Sequence, residues 1–406
     1  MIDGSGRVGR GVAYSTVEDA HLLNVRAINM SAFPDKPDDF AEYFEAEGGN
    51  RFDYAPRKLY ARYLSEILDE AVASGSTTIV EAEVVAACRN GRGWRLDLGE
   101  GAILESGALA LATGNQEPAE LKVFAGAGRR FIANPWGPDA RLALEQLARD
   151  GGDALVVGTG LTMVDLALSL DTAGYRGRIL AISRRGLAPR AHAEFEPAPV
   201  EGDELPHGDL VGLTRWLRRR SAEVGWRAAV DSLRPHTQQL WQELDLDQQQ
   251  RFLRHGRAWW DVHRSRIAPQ VARIIAGMIA EGRLEVVAGR IISAEKTEDG
   301  VAVEIRRRGT GRTQRETFAY VFNCTGPLHS IGETKDPLLR NLLDSEMVRP
   351  DPLGIGLDVD QRSRAGERLW ALGPLTRGCY WEIIAVPDIR EQAAAVADDM
   401  ERELKA

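Results

Sequence analysis

The stretch Ala154–Gly174, ALVVGTGLTMVDLALSLDTAG, decides the fold. Ala154–Val157 is a short apolar run, the pattern of a buried strand. Gly158-Thr159-Gly160 follows as a tight turn. Leu161, Val164 and Leu168 then recur at helical spacing beside Ala167, and Gly174 predicts the helix stop. Strand, Gly-x-Gly and helix in this order form the first half of a dinucleotide-binding unit. Gly158 permits the turn, and Gly160 lets backbone approach a pyrophosphate. The first helical residues, Leu161 and Thr162, present free N–H groups and the positive end of the helix dipole to it. Met163 stands where the motif has its third small residue, a departure at the helix–strand contact.

A second apolar run, Arg178–Ile182, ends in Ser183-Arg184-Arg185. An NAD site places an acidic partner for the ribose 2′-hydroxyl there. A hydroxyl and two guanidiniums suit a 2′-phosphate instead, which favours NADP. The competing reading at this point is a βαβ unit with solvated arginines and no nucleotide.

The whole chain sets the limits. Its 406 residues exceed one ordinary domain and suffice for two or three. Hydrophobic content of 44% with 27% charged residues marks a globular protein, and the net charge of −9 argues against a general nucleic-acid binder. Cys88, Cys324 and Cys379 are scattered with no Cys-x-x-Cys, which argues against dithiol redox chemistry and a thiolate metal site. No apolar run reaches membrane-spanning length and no signal peptide is visible, so we expect a cytoplasmic protein without a membrane partner. Gly-x-Ser-x-Gly, His-Glu-x-x-His and Walker motifs are missing, so no residue is assigned a catalytic role from the sequence.

Outward from the centre, several separated motifs occur in order. Met1-Ile2-Asp3 leads into GRVGRGVAYST (6–16) and HLLNVRAINMSAFP (21–34). Phe40–Glu47 and Pro56–Ala73 read as helices, with Arg57, Tyr60 and Leu64 on one face of the second. Thr77–Arg89 and Trp94–Leu98 alternate around Asn90-Gly91, a hairpin signal. Ala108–Ala112 is a buried strand running into Thr113-Gly114, and Tyr320–Cys324 repeats that pattern into Thr325-Gly326. Asp209–Gly282 is mostly helical and rich in tryptophan, with Leu253, Trp260 and Ile267 expected along one face. Leu284–Val287, Arg290–Ala294 and Val301–Arg307 read as strands. Trp370–Pro374, Trp381-Glu382-Ile383 and a helix over Pro387–Ala397 close the chain.

These motifs together resemble a family of bacterial FAD/NAD(P)-binding proteins related to flavin-dependent N-hydroxylating and Baeyer–Villiger-type monooxygenases. The resemblance implies an α/β protein of two dinucleotide-binding, Rossmann-like domains, the NADP domain inserted into the FAD domain. It places a first FAD part at 1–135 and the NADP domain at 150–325. A helical insertion spans about 205–282, and a second FAD part covers 326–406. The family's opening strand, Gly-x-Gly-x-x-Gly turn and helix do not precede Met1 in this sequence. We expect a start set too late rather than a loss of FAD.

The resemblance implies cofactor contacts at Asp3, Arg10, His21, Asn24, Met30, Ser31, Val85, Thr113, Gly114, Gly326, Gly373 and Trp381. These join Gly158, Thr159, Gly160, Leu161, Thr162, Ser183, Arg184 and Arg185 of the NADP unit. His21 also fits a purely structural histidine. Substrate-contact candidates are Arg190, His192, His263 and Arg264. The expected activity is NADPH oxidation through FAD, with oxygen as the acceptor and hydroxylation of a small nucleophile such as an amine. The rival of another class is a non-catalytic NADP-binding protein that has lost FAD.

Overall fold

The computed structural model describes residues 1–405. Its largest unit is a seven-stranded sheet in the order Thr313–Phe318, Val301–Arg307, Leu284–Lys296, Ile179–Ser183, Ala154–Val157, Tyr320–Asn323 and Phe131–Ile132. The last five strands pair in parallel, and the first two extend the sheet as an antiparallel hairpin. The helix Leu161–Thr172 crosses from Ala154–Val157 to Ile179–Ser183 and packs beside Pro138–Asp150 and Pro269–Ala280. Ala154, Leu155, Val156, Ile179, Leu180 and Ala181 are fully buried, so this sheet is covered on both faces. Met163 is fully buried as well, its flexible side chain filling the space a small residue would leave.

Two edge strands of this sheet, Thr313–Phe318 and Phe131–Ile132, were not expected from the sequence, and one expected division does not occur. The two segments expected as Leu284–Val287 and Arg290–Ala294 are one strand, Leu284–Lys296, with an irregularity between Ile291 and Ser293 that shifts its pairing. The strand ending at Asn323 is followed by the predicted Thr-Gly, with Gly326 at φ +87°.

The N-terminal and C-terminal regions carry shorter sheets. Ala86–Asn90 and Gly93–Asp97 form the predicted hairpin, Gly91 turning at φ +57°, and Ile103–Ser106 adds a third strand. Residues 77–85, expected to continue that strand, are irregular apart from a parallel bridge between Ile2 and Val80. Leu109–Leu111 pairs with Leu369–Ala371, which pairs with Arg364–Gly366. Two helices, Asp39–Ala46 and Arg57–Ala73, pack through Phe40, Tyr60 and Tyr63. The C-terminal helix runs over Val386–Lys405, longer than expected.

Six helices of six to fifteen residues make up the insertion between Leu210 and Ala280. The expected common face of Leu253, Trp260 and Ile267 does not form. Leu253 packs with Trp241 and Trp381, Trp260 with Trp216 and Leu233, and Ile267 under the main sheet. Two features explain this: Leu253 lies in a π-helical turn over Phe252–Gly256 whose extra residue breaks the 3.6-residue phase before Trp260, and the helix ends at Arg264, so Ile267 lies beyond it in an extended bridge with Ala191.

Candidate functional site

The turn after Ala154–Val157 has the geometry of a phosphate cradle. Gly158 lies at φ +114°, and a Cβ there would sit 2.0 Å from the Cys324 carbonyl oxygen. Only glycine fits a strand end pressed against its neighbour in this conformation. Gly160 is the opposite case: a Cβ there would meet nothing within 4 Å. The surface over Gly160 is therefore open to a ligand. Gly160 precedes the helix, its carbonyl accepting from Met163 and Val164 N–H at 3.1 and 3.3 Å. No side chain caps this helix, so the N–H groups of Leu161 and Thr162 find no side-chain partner among the described residues. The donor set and the open approach fit a dinucleotide pyrophosphate.

The next residues define the rim. Thr159 is buried, and its hydroxyl donates to the Leu187 carbonyl and lies 2.9 Å from Ser183 Oγ. Ser183 Oγ accepts from Gly186 N–H at 2.9 Å. Ser183 thus shapes the turn at the end of its strand. Arg184 is exposed and forms no ion pair or side-chain hydrogen bond among the described residues. Arg185 instead donates to the carbonyls of His255 at 2.8 Å and Arg254 at 3.4 Å, bracing the helical insertion.

The candidates implied by the resemblance fall into two groups. Thr113, Gly114, Gly326 and Gly373 follow strand ends, the glycines at φ +69°, +87° and +62°. No atom would contact a Cβ at Gly114 or Gly326 within 4 Å. Gly373 N–H donates to Gln392 Oε1 at 2.7 Å, which ties that turn to the C-terminal helix. One Asp3 oxygen accepts from the Ser5 N–H and hydroxyl at 2.7 and 2.6 Å, and Asp3 N–H donates to Val80. Val85 N–H pairs with Asp97, while Arg10 is exposed.

The second group is held inside the protein. Met30 belongs to the aromatic core of the N-terminal helices. Ser31 Oγ donates to the Lys36 carbonyl at 2.6 Å and accepts from the Phe33 N–H at 3.1 Å. His21 is buried, with Nδ1 2.8 Å from Thr16 Oγ1 and Nε2 within 3.1 Å of the Asp165 carbonyl and Ser169 Oγ. That is its structural reading. The Asn24 carbonyl lies 3.0 Å from His192 Nε2.

Sequence reasoning missed the partner of His21 in this network. Arg57 and Asp165 form a buried bidentate pair at 2.8 and 3.0 Å. It joins the N-terminal helix Arg57–Ala73 to the cradle helix. A signal existed: Asp165 interrupts a run that is otherwise apolar, and a carboxylate there demands a partner.

Trp381 stacks on Trp241 with centroids 4.7 Å apart, and its indole N–H is buried without a partner among the described residues. Glu382, at φ +66°, accepts from Trp260 Nε1 at 2.6 Å and Arg264 Nε at 3.0 Å. These contacts seat the insertion on the C-terminal segment. Beside them lies a cavity of about 390 Å³ whose lining includes Arg234, Arg264, Tyr380, Trp381, Glu382 and Asp388. Burial raises the Asp388 pKa, opposed by Arg234 and Arg264; burial, then Arg264, lowers that of Arg234. Of the four substrate candidates only Arg264 lines this cavity. Arg190 is exposed and pairs through its backbone with Val262 and Ile267, and His263 Nδ1 faces the Trp259 carbonyl.

Residues 1–116 match the model of a family described as FAD-NAD(P)-binding. No curated protein matches the chain. Among solved structures it is similar to L-lysine 6-monooxygenase from Pseudomonas syringae, at 18% identity and a TM-score of 0.67, covering 99% of this chain and 91% of that one. Ornithine hydroxylase from Pseudomonas aeruginosa gives 15% identity, a TM-score of 0.66 and the same coverage. Ornithine N-hydroxylase from Kutzneria sp. 744 gives 14% and 0.61, covering 98% of this chain and 90% of that one. The likeness is one of fold. It bears out the expected α/β class built on two dinucleotide-binding units, and the resemblance on which that expectation rested. No described helix is long and apolar enough to cross a membrane.

Proposed function

We propose that the protein is an FAD-dependent NADPH oxidoreductase of the monooxygenase type, acting on a small nucleophile such as an amine. The observation that carries this reading is the pair of glycines at the cradle: Gly158 forced by the Cys324 carbonyl, and Gly160 open to a ligand. The match of residues 1–116 to an FAD-NAD(P)-binding family supplies the second nucleotide. We assign 1–135 and 326–406 to the FAD domain and 150–325 to the NADP domain. FAD, when bound, supplies acceptance of two electrons from NADPH and activation of oxygen. The chain's part is to hold and orient. The N–H groups of Leu161 and Thr162 face the NADP pyrophosphate, and Arg184 meets its 2′-phosphate. Thr113, Gly114, Gly326 and Gly373 allow backbone to approach the flavin nucleotide. The cavity lined by Arg234 and Asp388 takes the nucleophile, the Asp388 carboxylate facing an ammonium.

NADPH consumption is measured on FAD-supplemented protein, with and without oxygen and with a panel of small amines. The expected result is oxygen-dependent consumption that an amine accelerates. A protein that binds NADPH yet never takes up or reduces FAD is the non-catalytic rival, and that outcome overturns the proposal.

A further inference from the structure

The positive charge at the cradle mouth extends beyond the two arginines that follow Ser183. Arg185 is committed to the insertion, donating to the carbonyls of Arg254 and His255. Those carbonyls lie within the π-helical turn Phe252–Gly256. A π turn is wider than an α turn, and its occurrence marks a place where helix regularity has been given up. The residue that follows is Arg257. Its Nη1 lies 3.5 Å from His329 Nδ1 and its Nε 3.4 Å from Asp261. The insertion therefore reaches the end of strand Ile179–Ser183 and the loop after Gly326 together.

That loop borders the cradle. A Cβ at Gly158 would run into the carbonyl of Cys324 and the nitrogen of Thr325. From its other side Arg377 holds the loop, donating through Nη2 to the Leu328 carbonyl at 2.7 Å. His329 is surface-exposed, yet crowding around its ring, then Arg257, Arg377 and Arg184, lower its pKa to about 4. Arg257 thus lies against the His329 ring, Arg377 holds the preceding residue, and Arg184 stands beside the arginine that is tied to residues 254 and 255 of the same insertion. Asp261 is the one carboxylate within ion-pair distance of any of them among the described residues. A concentration of like charge with so little compensation is costly to assemble unless an anion is bound there.

We propose that Arg257, carried by the helical insertion, joins Arg184 to form the site for the 2′-phosphate of NADP. The inference rests on the reading of the Gly158–Gly160 turn as an NADP cradle. It adds a specificity residue that the strand-end motif does not contain, and it makes the insertion a wall of the nucleotide site. Arg185 is the strut that keeps that wall in place.

The test is calorimetric titration of the whole protein with NADP⁺ and separately with NAD⁺. Arg257→Gln is expected to weaken NADP⁺ at least tenfold and NAD⁺ less than twofold, and Arg257→Lys to recover part of the loss. The double variant Arg184→Ala/Arg257→Gln should lose less than the product of the single effects, because both arginines meet one phosphate. Thermal melting without nucleotide checks that each variant is folded. If Arg257→Gln does not fold, Arg257→Lys carries the comparison, with an expected loss of about threefold for NADP⁺ alone. Unchanged NADP⁺ binding, or equal weakening of both nucleotides, overturns the inference. Wild-type protein that binds neither nucleotide overturns the cradle reading itself.

Discussion

The cradle unit and the N-terminal region are ordered in different ways. Around Gly158 the chain is held by a seven-stranded sheet whose central strands are buried on both faces. The region from Met1 to Ala73 adds no strand to any sheet and makes two isolated bridges among the described residues, Ile2 to Val80 and Leu22 to Pro56. Its order comes from an aromatic core around Phe40, Tyr60 and Tyr63, and from side chains that reach other parts of the molecule. Arg57 and His21 grip the cradle helix, Arg26 pairs with Glu194, and Asn24 meets His192. Ser31 accepts through its carbonyl from Arg390 of the C-terminal helix at 3.2 Å. One region is fixed by backbone pairing. The other is fixed by a few polar contacts, each of which matters more.

The two regions should therefore fail differently. Gly158→Ala places a methyl 2.0 Å from a backbone carbonyl and forces φ +114° on alanine. Strain and overpacking together cost about 2–6 kcal/mol, read as a lower urea midpoint. Asp165→Ala leaves the Arg57 guanidinium buried and unpaired, at a cost of about 3–5 kcal/mol. Replacing both partners by apolar side chains of similar size, Asp165→Leu together with Arg57→Met, should recover most of that. If the double variant is no more stable than the single one, the pair is not what holds the two regions together. Gly160→Ala separates folding from binding. Its Cβ meets nothing in the free protein, so the stability read from urea unfolding should stay within about 0.5 kcal/mol of wild type. NADP⁺ binding should still weaken at least about tenfold, because the methyl occupies the approach to the pyrophosphate.

The same difference sets what the sequence could tell. Strands buried on both faces are continuous apolar runs, and a glycine pair set between strand and helix points to a close backbone approach. Ala154–Val157, the turn and the helix from Leu161 were legible for that reason. The site formed by chain crossings was not. Arg57 and Asp165 are 108 residues apart, and no local pattern pairs them. Arg257 looked like one arginine among many, because its meaning depends on a π turn that shifts the helix phase. Leu253 and Trp260 were misread for the same cause, and Ile267 because the helix ends at Arg264 before reaching it. Helical spacing is a reliable guide only while the helix keeps its period.

The two regions also differ in their response to pH. His192 is half-buried against Tyr54 and the Asn24 carbonyl, and burial first, with Arg266 and Arg26 adding, lowers its pKa to about 4. In the unfolded chain it titrates near the ordinary value of about 6.5. Between these values the unfolded state binds the extra proton, so stability is full above about pH 6.5 and falls as pH drops toward 4. The loss is at most about 3 kcal/mol. His329 at the cradle mouth is lowered to a similar value. It is exposed to solvent, however, and screening makes its contribution the smaller one. His192→Gln should therefore flatten most of the decline in urea midpoint between about pH 7 and pH 5, and His329→Gln only a little. Bound NADP⁺ reverses the ranking for His329, because a phosphate beside Arg257 favours the imidazolium and raises its pKa. An NMR titration of the two imidazoles, with and without NADP⁺, reads both effects. A nucleotide-induced rise at His192 with none at His329 would mean that the ligand acts through the N-terminal contacts and not at the cradle mouth.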